Sequence, residues 1–125
     1  MIQVFVPYLG PSLNSIYAGV HWATRRKHAD AAHRATQIAV RGMAPLTRPV
    51  RLTLQPVLGK GKRRLDCSNY GYTLKLIEDG LVRSGLLKDD TPDYVVSVQT
   101  LAPIRDPKRG SGVWVMIQEV AEGAA

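Results

Sequence analysis

Residues 50–101 read VRLTLQPVLGKGKRRLDCSNYGYTLKLIEDGLVRSGLLKDDTPDYVVSVQTL, and this stretch decides the fold. It opens with Val50, Leu52 and Leu54 alternating with polar residues between Pro49 and Gly59, which predicts a strand over 50–58. Gly59 to Arg64 follows as a short basic segment with two glycines, read as a hairpin tip or a mobile loop and not as a domain linker. Leu74, Ile77 and Leu81 then recur at helical spacing. They predict a helix that starts near Asn69 to Tyr72, with Ser68 or Asn69 as N-cap, and stops at Gly85. Tyr94 to Leu101 returns to alternation, with Val96 and Val98 on one face, and predicts the next strand.

Outward from this stretch, Ile2 to Val6 is apolar and aromatic and is closed by Pro7, a short strand. Gly, Pro, Ser and Asn make Tyr8 to Val20 a loop. Trp22, Arg26, Ala29, Ala32, Ala35, Ile38 and Ala39 recur at helical spacing until Gly42 and Pro45, and the apolar face is mostly alanine, which permits close packing. Val113 to Val120 is a last strand after the loop around Asp106 to Gly112. The order β-α-β-α-β-β predicts an α+β fold, a mixed sheet carrying two helices. At 125 residues, without internal repeats, the chain is expected to be a single small domain over 1–125.

Composition narrows the function classes. A hydrophobic share of 45% excludes a disordered chain. Pro7, Gly10 and Pro11 break the N-terminal apolar run before a signal-peptide core or a membrane span forms, so a cytoplasmic protein with no membrane partner is expected. Cys67 is the single cysteine, which excludes an intrachain disulfide and a thiolate-rich zinc site. With no partnered histidine motif beside it, Cys67 reads as a small packing residue. Lys and Arg number 17 against 10 acidic residues, a formal charge of +7, which favours a polyanionic partner. The cations cluster as Arg25, Arg26 and Lys27, and as Lys60, Lys62, Arg63 and Arg64, the second cluster running directly into Asp66.

Asp66, Lys75, Asp79, Asp89 and Asp90 hold most of the chemical information. Lys75 and Asp79, four apart, share one helix face beside the apolar stripe, either as an ordinary surface ion pair or as part of a site. Carboxylates at separated strand and loop ends are what an oxygen-ligated magnesium ion needs. Phosphodiester hydrolysis gives them a purpose, since magnesium activates water and stabilises the leaving oxygen while a lysine neutralises charge on the phosphate.

The run Arg63-Arg64-Leu65-Asp66-Cys67-Ser68-Asn69, followed by Thr73-Leu74-Lys75, Asp79-Gly80-Leu81-Val82, Gly85-Leu86-Leu87 and Asp89-Asp90, resembles the signature segment of the RusA-like Holliday junction resolvases. Pro11-Ser12-Leu13-Asn14 is similar to the stretch after that family's first strand. The resemblance spans residues 1 to about 98, with its specific part in 63–90. It implies a homodimeric, bacterial or phage-encoded endonuclease that nicks four-way DNA junctions with Mg2+, Mn2+ being a substitute, and that uses no small-molecule cofactor. It implies catalytic positions at Asp66, Lys75 and Asp90, metal ligands among Asp66, Asp79, Asp89 and Asp90, and DNA contacts from Asn14, Asn69 and the two basic clusters.

The chain departs from the family at Ser68, where the pattern has a carboxylate directly before the Asn. A neutral hydroxyl is the weaker ligand, so Asp79 or Asp89 completes the site or activity is reduced. A catalytically weak or inactive RusA-like branched-DNA-binding protein is therefore the alternative. Trp22, Tyr70, Tyr72 and Trp114 are aromatics that either stack on unpaired bases or pack. His21, His28 and His33 are assigned to solvated or packed helix positions, not to a metal.

Overall fold

Val50, Leu52 and Leu54 are buried along one side of β2 (Val50–Leu58), while Arg51 between them is exposed. The period of two thus decides which face of this strand meets the helices. The computed structural model describes residues 1–121; the expected domain span ends in 122–125, outside the described residues. The remaining strands are β1 (Ile2–Val6), β3 (Val95–Thr100), β4 (Ile104–Arg105) and β5 (Gly112–Glu119). They form a five-stranded mixed sheet in the order β1-β5-β2-β3, with β4 also pairing β2. β5 is antiparallel to β1 and β2, whereas β3 and β4 run parallel to β2. The parallel return needs a crossover, and the helix α3 (Gly71–Arg83) supplies it.

The expected α+β architecture with a mixed sheet is the observed one. Its two long helices are α2 (Trp22–Ala39) and α3. A third, α1 (Leu13–Tyr17), lies inside the segment read as a loop. Ser12 caps it, its Oγ accepting from the Ser15 N–H at 3.1 Å. Ile77 and Leu81 of α3 join Val4, Val6, Leu52, Leu54, Val115 and Ile117 in one core. Full burial of each such side chain contributes about 1.5–3 kcal/mol. α2 meets α3 where Gly80 faces Thr36, and both are buried.

Three local expectations need correction. Val96 and Val98 do not share one face of β3. A register shift between Val50 and Arg51 pairs Val50 with Val95 and Leu52 with Val98, so Val96 is the extra residue that breaks the alternation; Val95 is buried, and Val98, beside Leu52 on the edge strand, is 41% exposed. Neither Ser68 nor Asn69 caps α3, because a 3-10 turn, Cys67–Tyr70, precedes it and Tyr70 takes the cap position. The basic segment after Gly59 is not a hairpin tip, since it leads into a 3-10 turn and α3, and Arg105 donates to the carbonyls of Lys62 at 2.9 Å and Gly59 at 3.5 Å. No helix among the described residues is long and apolar enough to cross a membrane.

Candidate active site

Lys75 stands on α3 two turns before the helix end, and its position fixes which acids it meets. Helical geometry brings Glu78 (i+3) and Asp79 (i+4) to the same side. Beyond α3, Gly85 adopts φ +84°, a left-handed turn that glycine takes without strain. Leu86 and Leu87 then bury themselves in the core and turn the chain back, which delivers Asp90 to Lys75. Lys75 Nζ donates to Asp90 Oδ2 at 2.8 Å and lies 3.4 Å from both Glu78 Oε1 and Asp79 Oδ1. Asp89 folds the other way, its Oδ1 accepting from the Asp90 N–H at 2.8 Å.

The electrostatics follow from this packing. The hydrogen bond to Asp90 raises the Lys75 ammonium well above the usual lysine range, against the opposing effect of burial and with the help of the charges on Asp79, Glu78 and Asp90. The same bond pulls the Asp90 carboxyl below the usual aspartate range. Glu78 moves the other way. At 8% exposure, its desolvation outweighs the attraction of Lys75 and raises its pKa. Lys75 itself is 55% exposed, so these ion pairs are accessible to a ligand and contribute little to stability.

The sequence-predicted residues fall into two groups. Lys75, Asp79 and Asp90 are brought together. Asp66 begins the 3-10 turn in extended backbone conformation, with its carbonyl accepting from the Asn69 N–H at 2.9 Å and its side chain exposed. Among the described residues, no three His, Cys, Asp or Glu side chains converge on a point that would hold a metal ion. Asp66, Asp79, Asp89 and Asp90 thus stand as separate oxygen donors in this conformation, with the Lys75 ammonium between Asp79 and Asp90. The donor chemistry of Glu78, Asp79 and Asp90, all hard carboxylate oxygen, fits a magnesium-type ion.

Before α3, Asn14 and Asn69 meet, the Asn14 N–H donating to Asn69 Oδ1 at 3.4 Å. Lys62 and Arg63 face the Pro11-Ser12 segment across a cavity of about 270 Å³. Lys60 and Arg64 are exposed on the same loop. Arg25, Arg26 and Lys27 are exposed on α2, and the Arg25 carbonyl accepts from Tyr72 Oη at 3.4 Å, which ties the start of α2 to the start of α3.

The aromatic and sulfur assignments are settled individually. Tyr70 is a packing residue, 5% exposed, with its hydroxyl accepting from the Leu65 N–H at 3.1 Å. Trp114 has its ring engaged by Arg109, 4.6 Å from the centroid, and by Phe5 edge-on. Trp22 is exposed, against the expectation of a buried helix face. Cys67 is exposed and not a packing residue. His28 bonds Tyr8 Oη at 3.0 Å, and His21 Nδ1 accepts from the Ala23 N–H as the cap of α2.

Glu78, Thr73 and Arg105 are the residues that sequence reasoning missed. Glu78 was detectable, because it falls four after Leu74 and three before Leu81, inside the apolar stripe where an acid needs a reason. Thr73, 1% exposed, accepts from the Gly10 N–H at 2.9 Å and holds the N-terminal segment on α3. Arg105 carried no local signal, since its partners are 43 and 46 residues away. No family model matches the chain, and no curated protein matches it.

Proposed function

We propose that this chain is a magnesium-dependent, structure-selective endodeoxyribonuclease of the RusA-like kind, resolving four-way DNA junctions by paired phosphodiester hydrolysis in recombination and repair. Two symmetric cuts need two equivalent sites, so the working form is a homodimer. The observation that carries the reading is Lys75 held by Glu78, Asp79 and Asp90 on an accessible rim, in a chain with two exposed basic clusters. Perturbed charges gathered on an accessible rim are the kind of arrangement that functional sites use.

Each residue has a role set by its charge state. Lys75 stays cationic at any working pH, so it binds a non-bridging phosphate oxygen and stabilises the charge that builds there. Asp90 stays anionic and holds Lys75 in place. Glu78, shifted upward by burial, is the acid suited to exchange a proton near the reacting phosphate. Asp79 and Asp90, with Glu78 and Asp66 in reserve, would hold Mg2+ or Mn2+, which when bound supplies an activated water and leaving-group stabilisation. The basic loop held by Arg105 binds the DNA backbone.

A second reading, a branched-DNA binder without cleavage, is favoured by Ser68, which is exposed and neutral at the position where the family pattern has a carboxylate. Incubating a synthetic four-way junction with the protein, with and without magnesium, separates the two. Paired nicks that require the metal support the nuclease, and tight binding with no nicks in magnesium or manganese supports the binder.

A further inference from the structure

Beyond the Lys75 cluster, α3 continues one stripe. Lys75, Asp79 and Arg83 are spaced i, i+4, i+8 and so lie along one side of the helix. At 1.5 Å per residue Arg83 is about 12 Å from Lys75 along the axis. There it lines an open groove of about 820 Å³ shared with Lys27, His33 and Arg34 of α2. Lys27, Arg34 and Arg83 make no ion pair among the described residues, and Asp30 is the single carboxylate in the lining. The three cations thus face the open groove with one carboxylate among them.

We infer that this groove is a second phosphate site, in which Arg34 and Arg83, with Lys27, hold a backbone phosphate of the same nucleic acid strand that reaches Lys75. The inference rests on the nuclease reading only for the identity of that strand. The chemistry is specific to an anion rich in acceptors. Two guanidiniums present forked donors, and the Lys27 ammonium adds a third cation. Arg83 stands one turn beyond Asp79 on α3, which places the groove along the helix side that carries the acidic cluster. Along a strand that advances about 3.4 Å per nucleotide, the 12 Å offset corresponds to roughly three to four nucleotides from the phosphate at Lys75.

The test uses the full chain and a synthetic four-way junction in which single phosphates are replaced in turn by neutral methylphosphonates. Binding is measured for wild type, for Arg34→Gln/Arg83→Gln, and for Arg48→Gln/Arg51→Gln, which removes equal charge from exposed positions outside the groove. In wild type, one neutral linkage should lower affinity roughly eightfold, the factor that a slope of about 0.9 per phosphate gives between 0.1 M and 1 M salt. The groove variant should lose that sensitivity, and its salt slope should fall by roughly 1 to 2, while the control variant keeps the sensitive position. An identical scan in wild type and groove variant overturns the inference. Because the readout is binding, a wild type that binds and never cuts refutes only the nuclease reading. A wild type that binds no junction at low salt refutes both.

Discussion

Replacing Gly80 by alanine should destabilise the protein, although alanine is the better helix former. In the middle of α3 the substitution gains about 1 kcal/mol in helix propensity. The new Cβ would lie 2.8 Å from Thr36 Cβ, 3.0 Å from its Oγ1 and 3.1 Å from its Cγ2. Thr36 cannot give way, since it is fully buried, its Oγ1 donates to the Ala32 carbonyl at 2.8 Å, and its Cβ is fixed to the backbone of α2. The two helices must separate, an overpacking cost of about 1–3 kcal/mol. The net loss is about 1 kcal/mol, and the melting temperature falls by about 4 °C for a chain of this size. Thr36→Gly in the same chain removes the opposing Cβ. The double variant should therefore be more stable than the sum of the single changes by about 1–2 kcal/mol. Thermal and urea unfolding of the four proteins measures this directly. A Gly80→Ala protein that melts higher than wild type, or additive effects across the cycle, would refute the close α2–α3 packing on which the placement of Lys75, Glu78 and the groove depends.

Three further outcomes follow from the site. Glu78→Gln should gain in melting temperature relative to wild type as pH rises from about 4 to 7, because a carboxyl whose folded pKa is raised stabilises below its unfolded pKa and loses that contribution as pH rises through the folded one; a difference independent of pH would contradict it. Neutralising Lys60, Lys62, Arg63 and Arg64 together should reduce the salt slope of junction binding by about 0.9 for each DNA phosphate that these side chains neutralise, and an unchanged slope would remove the loop from the interface. Ser68→Asp should lower the magnesium concentration for half-maximal cleavage if the metal shell is short of a carboxylate; a raised requirement, together with a severe defect in Asp79→Asn, would assign the missing ligand to α3 instead.

The sheet and the long helices were legible because their signals are periodic. Val50, Leu52 and Leu54 alternate on β2, and Ile77 and Leu81 mark the core side of α3. α1 was not legible, because it has no buried residue and so leaves no periodic trace; its only sign is the Ser12 cap. The alternation expected on β3 is broken by a register shift that belongs to the pairing with β2 and not to the strand's own sequence. At the site, Lys75 and Asp79 are legible from helical spacing, whereas Asp90 was singled out by the resemblance, and the turn that returns it to Lys75 depends on the burial of Leu86 and Leu87. Glu78 was overlooked because the exposed Lys75–Asp79 face gives the plainer signal, and the acid sits within the apolar stripe beside it. Arg105 and Thr73 act through partners distant in sequence, which no local pattern encodes.

The central claim is that the Lys75 cluster cuts DNA, and single-turnover cleavage of a four-way junction by wild type and Asp90→Asn, measured beside binding, tests it most directly. Asp90→Asn is nearly isosteric, yet it removes the anion that holds Lys75 at 2.8 Å and one oxygen donor for the metal. Wild type should make paired, magnesium-dependent nicks, and Asp90→Asn should lose cleavage by about 100-fold or more while its junction affinity is kept or improved. Cleavage by Asp90→Asn at the wild-type rate would contradict the claim.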